Sequence, residues 1–322
     1  MQYTILTGTG VEVSRLCMGT MTFGAQADEA ESVRMVHAAL DAGITFFDTA
    51  DIYNQGATEV ILGKALQGKR DGVVVASKVR NPMGPHPRRD VGLSRWHIIH
   101  GVEASLRRLG MECLDILYFH QPDYNTPLEE SLSAADQLVR QGKVMNLGLS
   151  NHAAWQFCKA RWVADRQRVT APTVTQVVYN LLARGIEQEF LPFCREEKIG
   201  VTVYNPLAGG LLTGKHTADG PAADSRLAIN TGYRNRYWRD ANLEAVDALT
   251  TIAQEAGISL LALAFRWLAA QEAVDAIIVG ASRLEQLQQN LALWEGDLDE
   301  ATLAACDRVW ETLRGPSYAY NR

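Results

Sequence analysis

Cysteine is scarce in this chain and is nowhere arranged to chelate or cross-link. The five present, Cys17, Cys113, Cys158, Cys194 and Cys306, are odd in number and include no C-x-x-C pair. That argues against a disulfide framework and for reduced thiols in a cytoplasmic compartment. Basic excess is missing too: Lys+Arg 31 against Asp+Glu 37 gives a net charge of -6, so a nucleic-acid partner has no electrostatic support. No apolar run approaches the ~20 residues needed to span a bilayer. The opening MQYTILTGTG lacks the basic-then-apolar order of a signal peptide, so no membrane partner is expected. Metal-binding spacings of the H-x-x-x-H or Cys/His kind are absent, and no metal is expected. His97 and His100 sit inside the helical pattern SRWHIIHGVEASLRRL and read as one packed and one half-exposed histidine. No Pro/Gly/Ser-rich linker divides the chain, which predicts one domain over 1–322.

What is there is regular. After a short hairpin (YTIL, TGTG, VEV) come eight apolar runs: RLCMGT, ITFFDTA, GVVVASK, LDILYFH, VMNLGLSN, TVTQVVYN, IGVTVYNPL and VDAIIVGAS. Helical periodicity fills the intervals at 29–42, 57–67, 94–109, 127–141, 153–167, 186–197, 259–271 and 283–293. Near-continuous apolar strands alternating with helices imply a parallel sheet covered on both faces. Eight such units predict an α/β protein of the (β/α)8 TIM-barrel class with an N-terminal β-hairpin. Two further helices are expected, at 241–256 and 299–313. The connection from about 208 to 240 is long for a compact domain, as functional loops are; its TGYRNRYW stretch reads equally as a solvated flap or a lid.

In such barrels the active site lies at the carboxyl ends of the strands. The polar tips here are Asp48, Lys78, His120, Ser150, Asn151, Gln176 and Tyr204, with Gly280, Ala281 and Ser282 after the last strand and Tyr53 five residues past Asp48. Singly, each is unremarkable: an Asp caps a helix, a Lys is solvated, a Tyr packs. Together, Asp48, Tyr53, Lys78 and His120 suggest a tyrosine general acid. A tyrosine with its reference pKa near ~10 gives up a proton more readily beside a lysine that stabilises the phenolate. A carboxylate can keep that lysine charged, and a histidine can direct and polarise a carbonyl oxygen. No Ser-His nucleophile pair stands out.

One stretch is ambiguous. Residues 208–216, AGGLLTGKH, follow the G-x-x-x-x-G-K spacing of a nucleotide-phosphate loop but place His216 where that loop needs a Ser or Thr for Mg²⁺. The glycines and Lys215 still suit a phosphate of another kind.

The motifs GTMTFG, FFDTADIYN, VASK, SLRRLGMECLDILYFHQPD, LVRQGKVMNLGLSNH, TQVVYN, YNPLAGGLLTGK and VGASRLEQLQQN, in this order and over the whole chain, resemble the aldo/keto reductase superfamily. Within it the chain, including its closing RGPSYAYNR, is most similar to the branch of bacterial general-stress reductases, aflatoxin-aldehyde reductases and potassium-channel β subunits. The resemblance implies an NADP-dependent enzyme that reduces aldehyde or ketone groups of small molecules, sugar-derived or xenobiotic carbonyls among them, to alcohols. Tyr53 would donate the proton, Lys78 paired with Asp48 would lower its pKa, and His120 would orient the carbonyl. Ser150, Asn151 and Gln176 would hold the nicotinamide carboxamide, Tyr204 would stack on its ring, and Thr20 and Met21 would lie beside it. Asn205, Pro206, Leu207, Ala208, Gly209 and Gly210 would run along the pyrophosphate, with Lys215 as a cation. Arg226 would contact the far part of the dinucleotide, and Gly280, Ser282, Gln286, Gln289 and Asn290 would surround the adenosine end. There the helix opening offers free backbone N–H groups to an anion. Ser282 with Arg283, whose planar fork suits a phosphate dianion, favours NADPH/NADP+ over NADH.

Candidate substrate-pocket residues are Phe23, Trp96, Tyr124, Tyr237 and Trp238, beside the basic loop 81–90. The alternative reading is a cofactor-binding regulatory subunit of the channel-β kind with weak reductase activity. His120 speaks against it, because in the channel β subunits that this chain resembles the position of His120 is often not His. A metal-dependent barrel hydrolase is a third class, for which the sequence supplies no ligand set. Relatives range from monomers to rings, which leaves a homo-oligomer open.

Overall fold

Strand side chains alternate between two faces, and here that alternation decides what reaches the barrel mouth. A computed structural model describes residues 1–87, 89–216, 220–223 and 225–316. Arg88 of the basic loop and the end of RGPSYAYNR from residue 317 lie outside the described residues. Strands β1 (Tyr3–Leu6) and β2 (Val11–Ser14) form an antiparallel hairpin with Leu6 opposite Val11. The others are β3 (Leu16–Gly19), β4 (Phe46–Asp48), β5 (Val74–Val79), β6 (Leu114–Phe119), β7 (Val144–Ser150), β8 (Val174–Val178), β9 (Gly200–Tyr204) and β10 (Ala276–Gly280). They close a parallel barrel in the order β10-β3-β4-β5-β6-β7-β8-β9, so the expected (β/α)8 architecture with its hairpin is observed.

Cys17, Phe46, Val74, Ala76, Ile116, Tyr118, Val174, Ala276 and Ile278 form one buried cluster with Leu6 and Val13 of the hairpin. Most of these lie near strand starts, so the hairpin fills that end of the barrel. Their neighbours of opposite parity, such as Val75, Leu117 and Val203, are buried as well, which is why the strands read as unbroken apolar runs. Following the inward parity towards the strand ends brings Asp48, Lys78, His120, Gln176 and Tyr204 to the rim.

By packing, the chain groups into two compact units. The first, Met1–Val177, Gln188–Tyr204 and Ala273–Gln288, carries the hairpin and barrel strands. Its helices Glu29–Asp41, Ala57–Ala65, Arg95–Leu109, Leu128–Arg140 and Ala154–Gln167 match the periodicity closely. The expected 186–197 helix is shorter, Phe190–Glu196, because Arg184–Glu187 ahead of it forms a turn.

The second unit is Val178–Glu187, Asn205–Glu272 and Gln289–Arg322. Both expected extra helices are present in it, as Asp240–Glu255 and Glu300–Arg314. The 208–240 connection is not an irregular loop. It holds a 3-10 stretch, Ala208–Thr213, and two short helices, Arg226–Ile229 and Thr231–Tyr237, that bury Leu211, Leu212, Leu227 and Tyr237. Within the same unit Arg184 pairs with Glu187 and Asp307, both at 2.7 Å. No single helix among the described residues is long and apolar enough to cross a membrane.

One close approach in the first unit gives a test of this packing. A Cβ on Gly63, inside helix Ala57–Ala65, would lie 2.2 Å from the Leu109 carbonyl oxygen at the end of helix Arg95–Leu109. Alanine normally stabilises a helix interior over glycine by about 1 kcal/mol, but backbone cannot yield as a flexible side chain would. Gly63→Ala is therefore expected to destabilise by roughly 1–3 kcal/mol, read from a urea denaturation curve. A gain in stability would mean that the two helices can separate freely.

Candidate active site

The centre of the rim in the first unit is a buried ammonium. Lys78 Nζ donates to Asp48 Oδ1 at 2.5 Å, to the Thr49 carbonyl at 2.7 Å and to the Tyr53 hydroxyl at 3.3 Å. The other carboxylate oxygen of Asp48 accepts from Gln176 Nε2 at 2.8 Å, and Thr20 Oγ1 donates to the Asp48 carbonyl at 3.0 Å. Burial alone would pull Lys78 down; the Asp48 carboxylate and the Tyr53 oxygen outweigh it and hold the ammonium above its ordinary range. A cation fixed against a phenol oxygen stabilises the phenolate, as a tyrosine proton donor requires.

Tyr53 stands on an unusual turn. Asn54, Gln55 and Gly56 follow it with φ of 48°, 54° and 88°, a left-handed run that needs outside support. Asn54 Nδ2 supplies some of it by donating to the Phe23 carbonyl at 2.6 Å. Below the turn Glu59 is fully buried and accepts from Arg108 Nε at 2.7 Å and Ser77 Oγ at 2.5 Å. Burial and the Glu59 carboxylate lift nearby Asp51 to about 8.

His120 faces Tyr53 edge-on, ring centroids 5.9 Å apart. Burial, then the positive charges of Lys78 and Arg80, pushes its imidazole down to about 3. The ring is thus neutral at physiological pH, with a single N–H to offer. Its carbonyl accepts from Asn151 Nδ2 at 2.9 Å, and Asn151 Oδ1 accepts from the Tyr204 hydroxyl at 2.7 Å. Ser150 Oγ accepts from the same Asn151 amide at 3.1 Å.

Asn151 N donates to the Gln176 carbonyl at 3.0 Å, and this bond joins Asp48, Tyr53, Lys78, Gln176 and Thr20 to His120, Ser150, Asn151 and Tyr204 in one hydrogen-bonded group. Met21 is half-buried on the residue after Thr20. At the last strand of the same unit Gly280 and Arg283 are exposed. Two of the N–H groups at the helix opening there are already taken, contrary to expectation. Ser282 N donates to Gln286 Oε1 at 3.0 Å, and Leu284 N donates to Glu31 Oε1 at 2.6 Å; polar side chains hold these N–H groups because an unsatisfied helix start is costly.

The other expected cofactor residues belong to the second unit. Ala208, Gly209 and Gly210 have φ of 49°, 70° and 106°, and the Lys215 Nζ lies 3.9 Å from where a Gly210 Cβ would be. His216, which breaks the phosphate-loop pattern, packs edge-on against Trp238 at 5.8 Å. Arg226 lies over the Tyr233 ring at 5.2 Å. Pro206 and Asn290 are buried, Asn205 and Leu207 half-buried, and Gln289 exposed.

Two expected substrate-pocket aromatics are packing residues instead. Phe23 is fully buried in the first unit, and Tyr237 is buried in the second, where Asn180 Nδ2 donates to its hydroxyl at 3.3 Å. Trp96 and Tyr124 are exposed, and Trp238 is half-buried. Trp96 lies against the His100 ring at 4.0 Å; His97 is buried, as expected of the packed histidine, while His100 is exposed and not half-exposed.

Two further residues, Asn81 and Gln121, join the site without standing out as strand tips. Asn81 Nδ2 lies 3.0 Å from His120 Nδ1, and Asn81 Oδ1 accepts from Gln121 Nε2 at 2.8 Å. Their signal is positional: each lies just past a strand end, Asn81 two residues beyond β5 and Gln121 two beyond β6, and these strands are neighbours. Among the described residues no group of three His, Cys, Asp or Glu side chains is placed to hold a metal ion.

A model described as the aldo/keto reductase family matches residues 15–311. The chain is 39% identical over 298 residues to a probable voltage-gated potassium channel subunit beta of Arabidopsis thaliana, covering 90% of each. It is 38% identical over 322 residues to the uncharacterized oxidoreductase YrpG of Bacillus subtilis, covering 96% of each. Against the aflatoxin B1 aldehyde reductase member 2 of Rattus norvegicus, identity is 36% over 315 residues, covering 92% of this chain and 84% of that one.

Proposed function

This chain belongs to the aldo/keto reductase family, and from that premise we propose that it reduces aldehyde or ketone groups of small molecules with NADPH. Membership supports an oxidoreductase acting on carbonyls; the cofactor and the roles of individual residues are our reading. The observation that carries it is the buried Lys78 ammonium bridging Asp48 and the Tyr53 hydroxyl.

The residues suit a dinucleotide. Asn205 Nδ2 is buried and makes no hydrogen bond among the described residues, and Lys215 sits beside the left-handed glycines. In the first unit Ser150, Asn151, Gln176 and Tyr204 would hold the nicotinamide, and Gly280, Ser282, Arg283 and Gln286 the adenosine phosphate; in the second, the family resemblance implies cofactor contacts for Asn205–Gly210, Lys215, Arg226, Gln289 and Asn290. NADPH, when bound, supplies the hydride that reaches the carbonyl carbon. The proton comes from this chain: Tyr53 releases it to the carbonyl oxygen, and Lys78 stabilises the oxygen left behind. His120, neutral, donates its one N–H to the same carbonyl oxygen and sets its direction. Asp48 keeps Lys78 charged. A 2′-phosphate near Ser282 and Arg283 would have to displace Glu31 from Leu284 N, so the cofactor assignment has a specific point of failure.

Steady-state turnover of aldehydes, ketones and keto-sugars, with NADPH and NADH compared, tests the proposal. Turnover with NADPH preferred is expected. A preference for NADH would overturn the cofactor assignment, and tight NADPH binding without turnover would replace the reductase reading with the regulatory one.

A further inference from the structure

We propose that Asn81 is a positioning residue that fixes the tautomer of His120, holding the single ring proton on Nε2. The inference rests on the reading of His120 as the group that directs a substrate carbonyl.

The argument is one of donors and acceptors. An amide nitrogen carries only hydrogens, so Asn81 Nδ2, at 3.0 Å from His120 Nδ1, requires a lone pair on that ring nitrogen. At its other end Oδ1 accepts from Gln121 Nε2 at 2.8 Å; with Gln121 in that sense, turning Asn81 over would set two NH₂ groups against each other. The backbone of Asn81 is held separately. His97 Nε2 lies 3.2 Å from the Asn81 carbonyl, which can only accept. His97 itself is buried in the first turn of helix Arg95–Leu109, whose start Ser94 caps by accepting from His97 N at 3.3 Å. The histidine backbone is fixed too: His120 N donates to the Val79 carbonyl at 3.0 Å, and its own carbonyl accepts from Asn151. The amide is therefore held at both its oxygen and its nitrogen, and the histidine at its backbone and at Nδ1.

Which nitrogen carries the proton matters because the ring is neutral. Lys78 and Arg80 are the charged groups that face it, and with burial they keep it uncharged. An imidazolium would donate from both nitrogens whatever its neighbours; a neutral ring has one donor, and its direction is set by the partner of the other nitrogen. With a donor on Nδ1, the N–H points from Nε2, the nitrogen left to meet a carbonyl oxygen. With an acceptor on Nδ1, Nε2 would present a lone pair to that oxygen and repel it.

The wild-type protein gives the direct test. Its ¹⁵N imidazole spectrum, with the His120 signals identified by their loss in His120→Gln, is expected to show the proton on Nε2. Asn81→Leu removes the amide donor and is expected to lower kcat about 10-fold or more with NADPH affinity unchanged, as when a functional histidine loses its orienting partner. Asn81→Asp puts an acceptor against Nδ1. Its kcat is expected to fall as pH rises already on the acid side of the alkaline loss that the Tyr53 proton donor imposes on both proteins, and to recover towards acid, where the imidazolium donates from both nitrogens; the wild type shows the alkaline loss alone. A proton on Nδ1 in the wild-type spectrum, or an Asn81→Asp pH profile that superimposes on the wild type, overturns the inference. The reductase reading fails separately, if the wild type binds NADPH and reduces no carbonyl, and the spectrum still decides the tautomer in that case.

Discussion

Replacing Tyr53 with Phe is expected to lower kcat for aldehyde reduction by about 10²- to 10⁴-fold while NADPH binding and the fold persist. The substitution removes one oxygen, the one that receives the longest of the three Lys78 hydrogen bonds, at 3.3 Å. Lys78 keeps Asp48 Oδ1 at 2.5 Å and the Thr49 carbonyl at 2.7 Å, so the ammonium stays paired. Loss of one such bond costs about 1 kcal/mol of stability, far less than the 3–5 kcal/mol that a 10²- to 10⁴-fold rate loss represents. The ring remains edge-on to His120, and the left-handed turn behind it is untouched. Activity and stability therefore separate, and single-turnover rates beside a thermal melt measure both. A Tyr53→Phe protein that keeps a tenth or more of wild-type turnover would remove Tyr53 as the proton donor.

How much of this was legible in the sequence depends on the kind of signal. The barrel was, because eight buried strands write eight apolar runs and the helices between them write a 3.6-residue period. The polar tips were legible for the same reason: a Lys ending VVVASK or an Asp ending ITFFD breaks an apolar run where the strand meets solvent. Asn81 was not. It lies in a polar loop, 39 residues before His120, and nothing periodic links them; they meet because β5 and β6 pair in register, with Val79 opposite Phe119. Nor could composition tell an exposed Trp96 from a buried Phe23, since an aromatic residue serves either role. The helices at Arg226–Ile229 and Thr231–Tyr237 were hidden because TGYRNRYW alternates arginine with aromatics and shows no apolar stripe. The carboxylate of Glu31 at the start of the last barrel helix came from a helix 253 residues away in sequence, a contact only closure of the barrel creates.

Asp48→Asn should produce the largest loss of stability among substitutions at the site, with a pH signature that identifies its cause. Lys78 is 1% exposed and Asp48 2%, so the pair is out of water, and breaking such a pair costs about 3–5 kcal/mol. In the wild type the Lys78 pKa is raised on folding. Its contribution to stability is thus fully present below the ordinary lysine pKa and is lost only as pH rises through the folded value. Removing the carboxylate leaves burial as the larger influence and reverses the sign: the folded-state pKa falls below the unfolded one. The unfolded chain then binds the proton more readily, and stability drops as pH falls through the unfolded lysine pKa of about 10.4. Asp48→Asn is therefore expected to be strongly destabilised at neutral pH and to regain stability in alkaline buffer, where wild-type Lys78 begins to lose its contribution. Turnover should fall with it, since a neutral Lys78 cannot stabilise the Tyr53 oxygen. Denaturant curves at neutral and alkaline pH decide the matter. Parallel curves for the two proteins across that range would show that the Asp48–Lys78 charge pair does not set the stability of the barrel mouth.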